Sequence, residues 1–211
     1  MQDFSDFKCP YVDKKEIWKI AESFREKHWP EGTLPINVEK IVEHKLKLNI
    51  EPKPGLLSDQ DIDAYLRIDM TGIVVDERCF MDERFANRLR FSYAHEIGHL
   101  LMHRDIYAQL PVHSPKDWMR FVLDVSDAEY GHFEYQANEF AGRILVPRDK
   151  FATEVENSLK ILEQNGLLHL VSQNPDAVLS RISPTLCKPF GVSAQVIEIR
   201  VQRENLWPAK L

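Results

Sequence analysis

Two histidines four residues apart, with a glutamate directly after the first, constrain the folding of this 211-residue chain more than any other feature. The stretch reads His95-Glu96-Ile97-Gly98-His99. Apolar residues recur around it at helical spacing, namely Phe91, Ala94, Ile97, Leu100 and Leu101. Residues four apart on a helix lie on one face, so both imidazoles can point at a single ion. The pattern therefore predicts an amphipathic, largely buried helix over residues 84–102.

This HExxH pattern is typical of zinc peptidases. His95 and His99 would bind the metal, and Glu96 would lie beside a water bound to it. Zinc lowers the pKa of such a water to about 7, and a carboxylate can take its proton as the water attacks a carbonyl. The competing interpretation is a pair of hydrogen-bonded core histidines with a salt-bridged glutamate, which would be costly to bury without a metal.

The net charge of −6 argues against nucleic acid as the main partner, since phosphate binding favours a basic surface. The three cysteines, Cys9, Cys79 and Cys187, are far apart and form no Cys-x-x-Cys motif. We expect them to be small apolar side chains rather than a disulfide framework or a zinc site. The sequence shows neither a signal peptide nor an apolar run of membrane-spanning length, so we expect a cytoplasmic protein with no membrane partner.

The remaining pattern predicts an α+β fold, mostly helical, with a small antiparallel sheet and a helical C-terminal subdomain. Helices are predicted over residues 13–28, 37–45, 132–145 and 151–165. Strands are predicted over residues 48–50, 64–70 and 73–76, the last two forming a hairpin. The sequence over residues 105–131 predicts a loop with one or two short helices. Four apolar or aromatic residues of this segment either line a pocket or form a minor core, namely Trp118, Phe121, Val122 and Tyr130.

We divide the chain into a metallopeptidase-like domain, residues 1–165, and a helical extension, residues 166–211, packed on it. Within the extension, residues 184–196 resemble a helix-turn-helix, with a turn at Gly191 and a second helix beginning at Ser193. Lys188, Arg200 and Arg203 are too few for a convincing basic face, so direct DNA contact is not expected.

A catalytic zinc usually takes three protein ligands. A metzincin would carry glycine at Met102 and histidine at Asp105, so that class is excluded. His103 lies one turn beyond His99 but two turns from His95, a rise of roughly 12 Å, so His95 and His103 cannot readily share one ion. His103 therefore either supports the pocket or is simply packed.

A carboxylate from the helix over residues 132–145 is the other candidate. Glu134 lies at the edge of an inward face that runs through Ala137 and Ala141, whereas Glu139 is predicted to pair with Arg143 in solvent. Small residues on both helices, Ala94, Gly98, Ala137, Ala141 and Gly142, would allow the two backbones to approach closely.

Asn138, one turn after Glu134, could orient a metal-binding histidine. The predicted site is thus His95, His99 and Glu134 as zinc ligands with Glu96 as general base, which is the gluzincin arrangement. The oxyanion partner stays open among Tyr107, His113, Tyr130, His132 and His169.

Residues 88–104, 134–141 and 145–147 together resemble the ImmA/IrrE family of metallo-endopeptidases, and the resemblance extends to the element at Phe190-Gly191-Val192-Ser193. It implies a zinc-dependent protease that cleaves helix-turn-helix repressors of mobile elements or stress responses. His95, His99 and Glu134 match the family's metal ligands, and Glu96 matches its general base. The alternative is a non-catalytic metal-binding regulator that acts by binding a repressor or DNA.

Overall fold

Helices account for most of residues 4–110 and 115–207, which are the residues that this computed structural model describes. Within them the helices are α1 (Lys14–His28), α2 (Val38–Lys40, continued by a π-helical turn Ile41–Lys45), α3 (Leu56–Gln60), α4 (Glu77–Met81), α5 (Ala86–Met102), α6 (Arg104–Gln109), α7 (Pro115–Asp124), α8 (Asp127–Leu145), α9 (Arg148–Gln164), α10 (His169–Gln173), α11 (Pro175–Leu186) and α12 (Ala194–Glu204). The strands are β1 (Asn49–Lys53), β2 (Ala64–Leu66) and β3 (Gly72–Asp76). The predicted α+β, mostly helical fold is confirmed.

The sheet is mixed, whereas the sequence predicted an antiparallel one. Strand β3 lies in the centre with all five residues buried. The β2–β3 hairpin is antiparallel as predicted, and Leu66 pairs with Ile73. Strand β1 runs parallel to β3, with Ile50 beside Ile73. The chain passes through α3 and β2 between these two strands, and such a crossover is what lets β3 lie parallel to β1.

Helix α5 packs against α8 along the small residues that the sequence singled out. A Cβ atom built on Gly98 would lie 3.0 Å from the Cα atom and 3.2 Å from the carbonyl oxygen of Ala137. Both Ala94 and Ala141 are fully buried. The two helix backbones are therefore as close at this point as a glycine allows.

Replacing Gly98 with alanine should destabilise the protein by about 1–2 kcal/mol, because the new methyl group would meet backbone atoms that cannot rotate away. Gly131 in α8 is the matched control, since a Cβ atom there has nothing within 4 Å. Gly131→Ala should stabilise the helix by up to about 1 kcal/mol. Urea unfolding curves measure both changes, and equal shifts for the two variants would contradict the close packing.

Helix α8 begins earlier than predicted. Ser126 caps it by accepting a hydrogen bond from the backbone N–H of Glu129, so the helix starts at Asp127 rather than at residue 132. Glu129, which the predicted bounds leave outside, therefore lies in the first turn of this helix. The Glu129 carboxylate accepts a hydrogen bond from the Cys9 backbone N–H at 2.8 Å and so fixes the N-terminal segment against α8.

Glu139 is buried, and the prediction that it forms an exposed pair with Arg143 is wrong. Its side chain accepts hydrogen bonds from the indole N–H of Trp18 at 2.5 Å and from the Arg200 guanidinium at 2.8 Å. Helices α1 and α12 cover this face of α8, which the sequence treats as solvent-exposed. The predicted division of the chain after residue 165 stays a prediction.

Helices α11 and α12 are joined by a short turn, and Ser193 caps α12 as expected. Gly191 in this turn has a φ of +60°, and its carbonyl oxygen accepts a hydrogen bond from Arg90 in α5. Because left-handed backbone suits glycine, the sequence signal for the turn was reliable. None of the described helices combines the length and apolar character that crossing a bilayer requires.

Candidate metal centre

Three side chains from the paired helices converge on one point. His95 and His99 come from successive turns of α5, and Glu134 comes from α8. The Nε2 atoms of the two histidines are 2.9 Å apart. One Glu134 oxygen lies 3.2 Å from Nε2 of His95, and the other lies 3.6 Å from Nε2 of His99. The three groups could hold a metal ion, since their donor atoms all lie within 4.8 Å of one another.

The spacing of these donors suits a small cation. Ligand atoms about 2.0–2.2 Å from a tetrahedral zinc ion lie about 3.3 Å apart. The measured separations, 2.9, 3.2 and 3.6 Å, fall on both sides of that value. Two nitrogens and one carboxylate also form the donor set found in one class of catalytic zinc sites. The residues therefore fit a metal ion, while their role as ligands is a proposal.

Glu96 lies one residue along α5 from His95, on the side of the sheet. Its carboxylate accepts a hydrogen bond from the backbone N–H of Leu66, in β2, at 2.7 Å. Burial raises the pKa of the Glu96 carboxyl to about 7, and the Glu134 carboxylate adds to this increase. His95 and the Leu66 N–H oppose it. A carboxyl group with a pKa near neutrality can accept and return a proton efficiently.

Each metal-facing histidine has a polar partner on its other ring nitrogen. Nδ1 of His95 lies 3.0 Å from the Asn138 side-chain oxygen, as the sequence anticipated. Nδ1 of His99 lies 2.8 Å from Nδ1 of His103, whose Nε2 lies 3.0 Å from the Gln136 side-chain oxygen. His103 is thus packed in the interior and also hydrogen-bonded to a residue of the cluster, so it is not simply a packed side chain.

The histidines differ in their protonation. Burial lowers the pKa of His99 well below its usual range, and it lowers the pKa of His103 to about 4. For His95 burial acts in the same direction, but the Glu134 hydrogen bond and the nearby carboxylates outweigh it and raise the pKa. Both His99 and His103 are therefore neutral near pH 7, which metal binding by an imidazole requires.

The cluster lies in an open cleft of about 980 Å³. Strand β2, one of the two edge strands of the sheet, forms one wall together with Ile68, and α7 forms the other. Helix α7 contributes the apolar side chains of Trp118, Met119 and Leu123, of which Leu123 is 80% exposed. An open cleft with apolar side chains on one wall and a strand at the edge of a sheet on the other can accept an extended peptide segment.

The four residues proposed as either pocket or minor core divide between the two. Trp118, Val122 and Tyr130 line the cleft, whereas Phe121 is fully buried in a small cluster with Phe4.

All three cysteines are free, and burial raises the pKa of the Cys9 and Cys79 thiols to about 11.

Two of the five candidates for the oxyanion partner lie at the cleft, Tyr107 and Tyr130. Tyr130 is half-buried and hydrogen-bonded to Glu134, whereas Tyr107 is 3% exposed. Of the other three, His169 bonds the Gly166 carbonyl oxygen and His132 lines a separate shallow pocket. His113 lies outside the described residues.

Sequence reasoning missed Gln136 and the backbone N–H of Leu66. Gln136 is 2% exposed, and its position three residues after Phe133 and four before Phe140 is the signal that could have placed it on the buried face of α8. No sequence signal marks the Leu66 N–H, because every strand residue carries one.

The chain is similar to known proteins in sequence and in fold. A family model described as Peptidase_M78, IrrE N-terminal-like domain, matches residues 82–202. A search of curated proteins gives no match. Among solved structures, a Mycobacterium tuberculosis transcriptional regulator has a similar fold, with a TM-score of 0.53 and 16% sequence identity. The similarity covers 91% of this chain and 47% of that one, so this chain spans about half the length of the mycobacterial protein.

Proposed function

The chain belongs to the Peptidase_M78 family, which confirms the resemblance to ImmA/IrrE proteins, and on this premise we propose that it is a zinc-dependent endopeptidase. The observation that carries the proposal is the meeting of His95, His99 and Glu134 in an open cleft beside the buried Glu96 carboxyl. The three converging side chains are the zinc ligands, and Glu96 is the general base.

A bound zinc would polarise the scissile carbonyl and make water more acidic. Glu96, held by the Leu66 N–H, takes the proton of the attacking water and then passes it to the leaving amine. Tyr130 is the better placed of the two phenols to donate a hydrogen bond to the developing oxyanion, because it is half-buried at the cleft. Its single O–H would turn from Glu134 to the oxyanion in that step. Tyr107 also lines the cleft but is only 3% exposed.

The proposed substrate is a protein that controls transcription, in particular a helix-turn-helix repressor. The mycobacterial chain of similar fold is described as a transcriptional regulator, which agrees with a role of this protein in the control of transcription. The buried state of Arg200, which is 1% exposed and paired with Glu139, supports a protein rather than a DNA partner, since it removes a cation from the outer face of α12. Three free cysteines agree with the reducing cytoplasm proposed as its location.

Purified protein loaded with zinc tests the proposal directly. The protein is incubated with a helix-turn-helix repressor encoded beside its own reading frame, and mass spectrometry identifies the products. We expect one or a few cleavage sites, loss of cleavage with a chelator, and its return on adding zinc. Zinc binding without any cleavage would favour the non-catalytic regulator, and failure to bind zinc would exclude both.

Asn138→Ala should weaken zinc binding about tenfold, because the variant removes the hydrogen-bond partner that orients the His95 ring. Competition with a chromogenic chelator measures the affinity. Asn165→Ala is the matched control, since Asn165 is exposed and its side-chain NH₂ group donates to the Ile161 carbonyl oxygen at the end of α9. An unchanged affinity in Asn138→Ala would remove Asn138 from the metal centre.

A further inference from the structure

A continuous chain of hydrogen bonds leads from the metal-facing His99 to the N-terminal segment. It runs from His99 through His103 and Gln136 to the backbone carbonyl oxygen of Pro10. The three side chains are 3%, 1% and 2% exposed, so bulk water does not compete with the two bonds that join them. The last bond, from Gln136 to the exposed Pro10, is partly buried. Phe133 covers the chain from one side, with its ring stacked 4.2 Å from that of His103.

The direction of each bond follows from the last acceptor. The Pro10 carbonyl oxygen can only accept, so the Gln136 atom 2.8 Å away must be its NH₂ group. The Gln136 side-chain oxygen then faces His103 and also can only accept. Consequently Nε2 of His103 must carry a proton and donate it.

A neutral His103 has no second ring proton, so its Nδ1 atom can only accept. Its ring lies between His99, Gln136 and Phe133, and none of these three contacts is a carboxylate that would favour a charged ring. Nδ1 of His99 therefore carries the proton of that bond, and Nε2 of His99 keeps its lone pair. This lone pair faces Nε2 of His95 and the Glu134 carboxylate.

We propose that His103 and Gln136 are positioning residues that hold His99 in its metal-binding tautomer, with the Pro10 carbonyl oxygen as the fixed end of the hydrogen-bond chain. Pro10 lies outside residues 82–202, the part of the chain that matches the family model. The N-terminal segment thus contributes to the metal centre although it touches no metal-facing atom. The inference rests on the proposed metal site and adds the reason why His99 presents its lone pair there.

Zinc affinity provides the first test. Gln136→Met keeps the side-chain volume but can neither accept from His103 nor donate to Pro10, and it should weaken zinc binding about 10–100-fold. His103→Leu should have an effect of similar size. His103→Asn places an amide oxygen near the position of Nδ1, and it should recover at least half of the loss on a logarithmic scale.

Ser183→Ala is the matched control, because Ser183 is fully buried and bonds the Leu179 carbonyl oxygen within α11. It should lower the denaturation temperature without changing zinc affinity. A zinc affinity within twofold of the wild type in Gln136→Met would overturn the proposal, and so would equal affinities for His103→Asn and His103→Leu.

Nitrogen-15 NMR of the metal-free wild type provides a test that does not depend on zinc or on variants. We expect the ring proton of His103 on Nε2 and that of His99 on Nδ1. A His103 proton on Nδ1 would overturn the proposal even if zinc binds tightly. If the wild type binds no zinc but shows the expected tautomers, the proposed metal function fails while the hydrogen-bond chain is upheld.

Discussion

Replacing Glu96 with glutamine will lower the rate of peptide cleavage by about 10²–10⁴-fold and leave zinc affinity nearly unchanged. Glutamine has nearly the same shape, and its side-chain oxygen can still accept the 2.7 Å hydrogen bond from the Leu66 N–H. It cannot take a proton from water near pH 7. The variant therefore slows the chemical step of cleavage but keeps its affinity for zinc.

Rates of repressor cleavage under single-turnover conditions measure this effect, and chelator competition measures zinc affinity in the same preparations. Glu163→Gln, an exposed change on α9, is the matched control and should cleave at the wild-type rate. Cleavage that survives in Glu96→Gln would exclude Glu96 as the general base. If Glu96→Gln also retains full biological activity, the non-catalytic regulator becomes the better description.

Replacing Arg200 with methionine should destabilise the protein by about 3 kcal/mol, because it leaves buried carboxylates without their shared cation. Arg200 bonds Glu139 in α8 and Glu204 in α12, and all three side chains are at most 5% exposed. Removing one partner of a buried ion pair typically costs about 3–5 kcal/mol of stability. We expect the lower end of that range, since Glu139 keeps its hydrogen bond from the Trp18 N–H and Glu204 keeps its ion pair with Arg143.

Chemical denaturation followed by circular dichroism measures this loss. Adding Glu139→Gln to Arg200→Met should recover a good part of it, because an uncharged amide still accepts from Trp18 and needs no cation. Arg84→Met is the control, as the Arg84–Asp82 pair is largely exposed on the arginine side and should change stability by less than about 1 kcal/mol. Similar losses in the two arginine variants would contradict a special role for the buried cluster.

The sequence by itself determined the helices that carry the proposed metal centre. Helical periodicity around His95 and His99 fixed their common face, and the small residues Gly98 and Ala137 marked the helix pair that brings Glu134 to them. These signals are local, because hydrophobic spacing and side-chain size act within one or two helical turns. The β2–β3 hairpin and the Ser193 cap were readable for the same reason.

Tertiary structure alone decided which polar residues became buried. Glu139 has the i,i+4 spacing to Arg143 of an exposed pair, but α1 and α12 cover it and supply Trp18 and Arg200 as partners. These partners lie 121 and 61 residues away along the chain, beyond the reach of any local pattern.

The parallel pairing of β1 with β3 and the bond from Leu66 to Glu96 are non-local in the same way. So is the hydrogen-bond chain that runs from His99 to Pro10. A backbone N–H or C=O group can pair with any partner that the fold brings within reach, so the amino-acid sequence does not indicate which partner it will have. The sequence thus predicted the ligand set and the base of the proposed site, whereas the assembled fold determined which groups lie beside them.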